Sequence, residues 1–124
     1  METTYPSIEQ QSPHQRLDQW RIFIEGILQR YADIPYRYGT VLTYVVVSRD
    51  CNHYMLVQEG WERNHRVYGT ITHAEIRNDK IWIHYDGIEE SITEELVAIG
   101  VPKDCIVLAF HPLHIREHTG YAIK

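Results

Sequence analysis

The sequence predicts an α+β domain in which two helices back an antiparallel β-sheet, a meander of about four strands plus a short C-terminal strand. Three observations lead to this prediction: an apolar stripe at helical spacing near the N-terminus, four strand-like segments in series joined by short polar loops, and a second, capped helical segment after them. Strands joined by short loops pair as an antiparallel meander, and helices then cover one face. A chain of 124 residues is long enough for one domain with one core.

The first helix is predicted over Pro13–Ala32, behind a flexible tail of residues 1–13, so that the folded domain comprises residues 14–124. Its apolar residues fall on one side of a helical wheel; they are Leu17, Trp20, Ile24, Ile27, Leu28 and Tyr31. A proline is tolerated at the start of a helix, and Pro35 disfavours helical geometry in the residue before it. Ile22 lies on the opposite side of the wheel, which predicts either an isolated exposed residue or a contact with another chain.

Two strands are predicted directly after the first helix. Thr40–Ser48 is crowded with valine and apolar on both faces, which predicts a central strand covered on both sides. Arg49–Asn52 is predicted to be a hairpin loop, and His53–Glu59 to be the next strand, which Gly60 ends. The polar segment Glu62–Asn64 is the next predicted loop.

The longest strand pair is predicted at Arg66–Arg77 and Lys80–Tyr85, joined by a two-residue turn, Asn78 and Asp79. Both turn residues tolerate the positive φ angles that such a turn requires. A two-residue turn fixes the register of a hairpin, and burial of the apolar face holds it. The predicted core-facing pairs are Ile76 with Ile81, Ala74 with Ile83 and Thr72 with Tyr85, and the pairs on the other face are Glu75 with Trp82 and His73 with His84.

The second helix follows Ser91, a predicted N-cap that forms a capping box with Glu94. Its predicted buried stripe consists of Ile92, Leu96 and Ile99. Gly100 is a suitable residue to end the helix. A last short strand is predicted at Ile106–Phe110, and a single helical turn at His114–Thr119.

Charge and composition exclude several classes of protein. The formal charge is -5, whereas DNA binding needs Lys and Arg to replace phosphate counterions. We therefore expect no direct nucleic-acid binding by the chain alone; a local patch of Arg63, Arg66 and Arg77 stays open as an exception. No apolar run approaches the ~20 residues that span a membrane, and the N-terminus lacks the order of a signal peptide. These features predict a cytoplasmic protein without membrane contact.

The cysteines and histidines are the first candidates for chemistry. Cys51 and Cys105 do not make a disulfide framework and are expected to be small, mostly buried thiols. The pattern H-x2-H-x3-H consists of His111, His114 and His118. This spacing suits metal ligands on a helix, although Pro112 disfavours a regular helix there. His73 and His84 are predicted neighbours that could hold a metal or titrate as a coupled pair. For both sets, structural or surface histidines are the preferred interpretation, and a metal-dependent hydrolase is the alternative.

No other catalytic pattern is present in the sequence. It contains no G-x-S-x-G, P-loop, dinucleotide fingerprint or zinc-finger spacing. Acidic residues crowd the start of the second helix, where they favour the helix dipole rather than acid–base chemistry; they are Glu89, Glu90, Glu94 and Glu95. We therefore assign no catalytic, cofactor-binding or metal-binding residue and expect no cofactor. Aromatic residues on and near the strands suit packing and a protein–protein surface: Tyr44, Tyr54, Trp61, Tyr68, Trp82 and Tyr85.

Five segments carry a resemblance to a known family: Ile34–Gly39, His53–Trp61, Arg66–Ile83, Asp86–Pro112 and Thr119–Ile123. Together they span the chain from the first helix to the C-terminus, and GVPKDCIVLAFHP is the most specific stretch. These segments resemble the XisI family, the fdxN-element excision controlling factor group of cyanobacteria. The chain departs from the family pattern at Ile88 and Ser91, where Thr and Gly are expected, and at Leu113 and His114, where Pro and an acid are expected.

The resemblance implies a small accessory protein. Family members are associated with XisH, a partner that resembles a restriction-type nuclease, and the founding members support excision of a DNA element by a separate recombinase. We therefore expect a non-enzymatic module of programmed DNA rearrangement that binds an XisH-like partner and forms a homo-oligomer. An acidic chain of this kind could dock on the basic DNA-binding face of the partner. The alternatives are an antitoxin-like inhibitor of a nuclease partner, the metal-dependent hydrolase, and a direct DNA-binding regulator.

Overall fold

The computed structural model describes residues 12–35 and 40–124. The tail predicted at residues 1–13 lies outside these ranges, except for Ser12 and Pro13, which begin the first helix. In chain order the elements are α1 (Pro13–Ala32), β1 (Thr40–Val47), β2 (His53–Glu62), β3 (His65–Arg77), β4 (Lys80–Asp86), α2 (Ile92–Ala98), β5 (Ile106–Leu108) and α3 (Leu113–Arg116). Within the described ranges, no helix is long and apolar enough to cross a bilayer.

The strands form one sheet in the order β1-β2-β3-β4-β5. The first four strands pair antiparallel, as the predicted meander requires. β5 pairs parallel with β4, a direction that the sequence did not reveal. A parallel pair needs a crossover connection, and the segment containing α2 supplies it. The predicted α+β class is confirmed.

Helix α1 has the predicted bounds. The Ser12 hydroxyl accepts a hydrogen bond from the backbone N–H of Gln15 at 3.2 Å, and the Gln15 side chain accepts one from the backbone N–H of Ser12 at 3.1 Å. This reciprocal capping box satisfies two backbone donors that the helix itself cannot. The helix lies on the inner face of the sheet and buries Trp20, Ile24, Ile27 and Leu28. Ile22 is 59% exposed, as predicted.

The hydrophobic core lies between helices α1 and α2 and the inner face of the sheet. The strands contribute buried side chains at alternate positions, namely Tyr54, Leu56, Ala74, Ile76, Ile81 and Ile83. Full burial of a large apolar side chain stabilises a fold by about 1.5–3 kcal/mol. Burial also raises the pKa of Tyr54 to about 12, so its phenol is neutral in the folded protein.

The position of β1 differs from the prediction. We expected a central strand covered on both faces, but β1 forms an edge of the sheet and pairs only with β2 among the described residues. Val45 and Val47 pack against the core, whereas Leu42, Tyr44 and Val46 on the other face are exposed. A strand that is apolar on both faces is typical of a sheet interior. Here the sheet order follows the chain order, which leaves the first strand at the edge.

Strand β2 is longer than predicted, because it continues through Gly60 to Glu62. Gly60 lies opposite Val41 in the β1–β2 pair. A Cβ atom added to Gly60 would lie 2.0 Å from the backbone oxygen of Thr40. The glycine therefore allows the two backbones to approach closely, and it does not end the strand.

The β3–β4 hairpin contains the predicted turn. Asn78 and Asp79 have φ angles of 52° and 60°, the left-handed conformation that the prediction required. The half of the predicted register that is next to the turn is confirmed. Its pairs are Ile76 with Ile81, Glu75 with Trp82, and Ala74 with Ile83.

The half of the hairpin that is far from the turn has a different register from the predicted one. The pairing shifts after Ala74, so that His84 is an extra residue in β4 and His73 lies opposite Tyr85. The predicted pairs of Thr72 with Tyr85 and of His73 with His84 were therefore wrong, because a β-bulge shifts every later pair by one residue. Tyr85, which we placed on the core face, is 54% exposed.

Helix α2 begins at the predicted N-cap. The Ser91 hydroxyl accepts a hydrogen bond from the backbone N–H of Glu94 at 3.5 Å. The carboxylate of Asp86, rather than that of Glu94, supports this cap. It accepts hydrogen bonds from the Ser91 hydroxyl at 2.8 Å and from the backbone N–H of Ile92 at 3.2 Å.

Helix α2 ends at Ala98, so Ile99, the last residue of the predicted buried stripe, lies outside the helix. Leu96 is fully buried, but Ile99 is 46% exposed, because it is the C-cap residue beyond the last helical turn. Gly100 follows with φ at +113°, a conformation that favours glycine. The last strand covers Ile106–Leu108 rather than the predicted Ile106–Phe110.

The C-terminal segment is tied together by one arginine and covers Trp82 on the outer face of β4. The Arg116 guanidinium donates to the backbone oxygens of His111 at 2.8 Å, Ala109 at 3.2 Å and Ile123 at 3.3 Å. It also lies 5.8 Å from the ring of Trp82, whose side chain is buried on the face opposite the core. The outer face is therefore closed around Trp82, whereas the part formed by β1 to β3 is open.

Candidate functional site

The outer face of β1, β2 and β3 carries a group of exposed large apolar side chains, which we call the outer strip: Leu42, Tyr44, Val46, Trp61 and Tyr68. Opposed residues of antiparallel strands share one face, and the pairs of Tyr44 with Val57 and of Glu59 with Tyr68 place these strands in one continuous surface. The exposed fractions are 62% for Leu42 and 77% for Tyr68. An apolar group of this size on one open face is typical of an interaction site.

A shallow cavity of about 300 Å³ lies within the outer strip. Its apolar lining comes from Tyr44, Val46, Met55, Val57 and Tyr68. The cavity offers a place for one inserted side chain of a partner, and inserted aromatic or aliphatic anchors supply most of the energy at protein interfaces.

One end of the outer strip is ordered by an arginine. The Arg66 guanidinium lies 5.5 Å from the ring of Trp61 and 5.6 Å from that of Tyr68. It also donates to the Glu59 carboxylate at 3.1 Å and to the backbone oxygen of Gly60 at 3.2 Å. The guanidinium thus lies beside both exposed rings, and cation–π contacts at exposed sites contribute about 0.5–1 kcal/mol each. Aromatic residues with arginine are the composition favoured at protein–protein interfaces.

The histidine cluster, defined as His53, His73, His84 and Glu75, lies at the other end of the same face. The Nδ1 atom of His53 is 3.0 Å from the Nε2 atom of His73. The Nε2 atom of His84 is 2.8 Å from a carboxylate oxygen of Glu75, and the Nε2 atom of His53 is 3.4 Å from the other oxygen. The rings of His73 and His84 are 4.8 Å apart. The predicted proximity of these two rings is therefore present, although the bulge removes their direct pairing.

The electrostatics of the histidine cluster favour a neutral His73. Burial lowers the pKa of His73, and the neighbouring His84 and His53 lower it further, while Glu75 opposes them. The ring nitrogens of the cluster contact one another and the Glu75 carboxylate. Among the residues that the structure describes, no group of three or more His, Cys, Asp or Glu is arranged to hold a metal ion.

The C-terminal histidines are not gathered into a site. Pro112 is the N-cap of the short helix α3, so His111 lies before the helix. His114 and His118 are exposed, and His118 lies 3.6 Å from the carboxylate of Glu117. The ring of His111 instead packs 4.5 Å from that of Phe110.

The remaining candidates have structural surroundings. Glu95 forms an ion pair with Arg30, and Glu90 accepts a hydrogen bond from the Tyr31 hydroxyl at 2.8 Å, so these acids link α2 and its approach to α1. Both cysteines are free thiols. Cys51 is exposed, contrary to the expectation of burial, because it lies at the tip of the β1–β2 loop with φ at 59°.

Two members of the histidine cluster, His53 and Glu75, were not predicted as site residues. His53 was placed on a strand but not linked to His73, because the β2–β3 register was not predicted. Met55 lies opposite His73, and this register places His53, the first residue of β2, beside His73. The alternation of polar residues at the start of β2 was too short to define that register.

The fold and the outer face together define a small α+β domain that presents an open apolar sheet surface on one side and a helix-covered core on the other. Residues 14–123 match the family described as XisI protein, and the chain belongs to the XisI family. The resemblance seen in the sequence is thereby confirmed.

Two solved structures from Anabaena variabilis share the fold. A XisI-like protein is 28% identical, with a TM-score of 0.79 over 87% of this chain and 99% of the other. The fdxN element excision controlling factor XisI is 30% identical, with a TM-score of 0.73 over 88% of this chain and 99% of the other. No curated protein matches the sequence.

Proposed function

We propose that this chain is a non-enzymatic accessory factor of DNA-element excision, which acts in the cytoplasm by binding an XisH-like protein of nuclease fold through its outer strip. Family membership and the 30% identity to an fdxN element excision controlling factor support the general role. The open outer strip is the observation that carries the mode of action. A factor of this kind directs another protein by contact, so its working part is a surface and not a catalytic centre.

The chemistry of the outer strip supports a protein as its ligand. Trp61 and Tyr68 are large and exposed, and the Arg66 guanidinium lies beside both rings. Tryptophan, tyrosine and arginine dominate the energetic centres of protein interfaces. Glu59 and Arg66 form a polar rim beside them, and such a rim adds orientation to an apolar contact.

The net charge supports a basic partner. A nuclease-fold protein that binds DNA needs a positively charged surface, and this chain has a formal charge of -5. Opposite net charges accelerate association and make it sensitive to salt. We therefore expect binding to weaken as ionic strength rises, with the change mainly in the association rate.

Co-purification and calorimetric titration with an XisH-like protein test the proposal. Tyr68→Ala and Trp61→Ala should each weaken binding by about thirtyfold, the effect of losing an interface anchor worth about 2 kcal/mol. Ile22→Ala is the matched control, because this residue is also exposed and apolar but lies on α1. If the two wild-type proteins elute separately at micromolar concentration and low salt, the proposed partner is wrong. If only Ile22→Ala weakens binding, the proposed surface is wrong.

A further inference from the structure

Within residues 12–35 and 40–124, the edge of β1 opposite β2 has no strand beside it, and β1 has the composition of a strand that pairs with another strand. β1 is eight residues long and contains no charged residue, proline or glycine. Its pairing with β2 is regular over all eight positions, without a bulge. Natural proteins protect exposed edges with charges, prolines or bulges because an open edge recruits other strands, and β1 carries none of these devices.

The hydrogen bonds of the β1–β2 hairpin show which backbone groups of β1 point away from β2. The backbone N–H of Ser48 donates to the backbone oxygen of His53, directly opposite, at 3.0 Å. In an antiparallel pair such hydrogen-bonded positions alternate with positions whose backbone groups point to the other side. The outward-pointing backbone groups of β1 are therefore those of Val41, Thr43, Val45 and Val47.

We propose that two copies of this chain pair through β1 in an antiparallel manner about a twofold axis, which joins their sheets into one. This inference goes beyond the proposed function and does not depend on it, because it concerns the protein alone. A second copy suits the edge because β1 is uncharged, so a twofold axis brings no like charges together. A twofold interface must also be self-complementary, and an antiparallel strand pair fulfils that requirement when the register is right.

One register satisfies every outward-pointing backbone group. Paired residues must lie on the same face, so exposed positions meet exposed positions and core-facing positions meet core-facing positions. When Tyr44 lies opposite Tyr44 of the partner subunit, Val41 meets Val47 of the partner subunit and Thr43 meets Val45 of the partner subunit. All four outward-pointing residues are then hydrogen-bonded. A shift that centres the axis on Thr43 leaves Val47 without a partner.

The same register buries the apolar side chains of the edge. Leu42 lies opposite Val46 of the partner subunit, and the two Tyr44 rings meet at the axis. Aromatic and aliphatic cross-strand pairs stabilise a sheet by about 0.2–1 kcal/mol each. The two outer strips then lie side by side on one continuous sheet face.

Sedimentation equilibrium of the full chain alone tests the pairing. We expect a dimer at micromolar concentration and a dissociation constant at least about tenfold higher for Tyr44→Lys, which sets two ammonium groups against each other at the axis. Tyr68→Lys is the matched control, because it adds the same charge to the same face but lies on β3; it should leave the dimer intact. A monomeric wild type, or a dimer that Tyr44→Lys does not weaken, overturns the proposal.

Disulfide formation tests the register independently of any loss of folding. In a Cys51→Ser background, Tyr44→Cys should form a covalent dimer under mild oxidation, because non-hydrogen-bonded pairs hold their Cα atoms about 4.5 Å apart, within disulfide range. Thr43→Cys should remain monomeric in denaturing electrophoresis. Covalent dimers from Thr43→Cys alone, or equally from Tyr68→Cys, overturn the proposed pairing. Because no XisH-like protein is present in these experiments, their failure is distinguishable from failure of the proposed function.

Discussion

The Nδ1 atom of His53 lies 3.0 Å from the Nε2 atom of His73, so the two imidazoles share one proton between these nitrogens. The other nitrogen of His53 faces the Glu75 carboxylate at 3.4 Å. When the proton of a neutral His53 ring is on Nε2, its Nδ1 atom accepts a hydrogen bond from the Nε2–H group of His73. When both rings carry two protons, two N–H donors face each other, and the contact becomes repulsive.

We predict that the protein loses stability as the pH falls from about 8 to about 5. Burial, together with the charges of His84 and His53, lowers the pKa of His73. The unfolded chain therefore binds a proton at His73 more readily than the folded chain does. The stability that neutral His73 contributes is present above its ordinary pKa of about 6.5 and is lost progressively as the pH falls below that value. Glu75 and Arg77 are the other charged groups at the cluster. Urea unfolding at a series of pH values measures the free energy of unfolding.

Two asparagine variants separate this cluster from general effects of pH. His73→Asn should reduce the pH dependence of the free energy of unfolding over this range. His114→Asn removes an exposed histidine on α3 and should leave the dependence unchanged. Equal slopes for wild type and His73→Asn would show that the cluster does not control acid stability.

The close approach of β1 and β2 at Gly60 leads to a second prediction. A Cβ atom there would lie 2.0 Å from the backbone oxygen of Thr40 and 2.6 Å from the Cα atom of Val41. Gly60→Ala should therefore lower the free energy of unfolding by at least about 2 kcal/mol, because the backbones must separate. Gly69→Ala is the control, since nothing lies within 4 Å of its added Cβ. Comparable losses in both variants would contradict the argument.

The predictable parts of the fold were those set by short-range chemistry. Helix α1 was predicted with its observed bounds, because the apolar spacing and two prolines define it. The turn at Asn78 and Asp79 was predictable because few residues tolerate its backbone angles. The bulge at His84 was not, because strict alternation describes only a regular strand, and an extra residue leaves no mark in the pattern of polarity.

The outer strip could not be predicted from the sequence, because its exposure depends on the order of strands in the sheet, which local sequence patterns do not determine. The sequence predicts that Tyr44, Trp61 and Tyr68 serve packing or a protein–protein surface, and it places β1 in the sheet interior. A strand with apolar residues on both faces reads the same whether another strand or another molecule covers it. Only the observed order, with β1 at the edge, shows that Leu42 and Tyr44 remain exposed.

The three carbonyl contacts of Arg116 lead to a third prediction. Its guanidinium bridges Ala109, His111 and Ile123. Arg116→Ala should therefore release the C-terminal segment and destabilise the protein by about 1.5–3 kcal/mol, the range for hydrogen bonds to a charged group. Hydrogen exchange of the backbone amides of residues 109–123 should accelerate, with Arg63→Ala, in the exposed β2–β3 turn, as the control. Unchanged exchange in Arg116→Ala would mean that the segment is held by its apolar contacts instead.

The cap formed by Asp86 leads to a fourth prediction. Its carboxylate accepts from the Ser91 hydroxyl at 2.8 Å and from the backbone N–H of Ile92 at 3.2 Å. Asp86→Ala removes both acceptors at the start of α2 and should lower the free energy of unfolding by about 1–2 kcal/mol, as for loss of an N-cap. Glu89→Ala removes an exposed acid from the loop between β4 and α2 and should have an effect below about 0.5 kcal/mol. Urea unfolding measures both losses. Equal losses would mean that negative charge near the start of α2, rather than the Asp86 hydrogen bonds, stabilises the helix. Such a charge acts on the helix dipole and needs no fixed acceptor geometry.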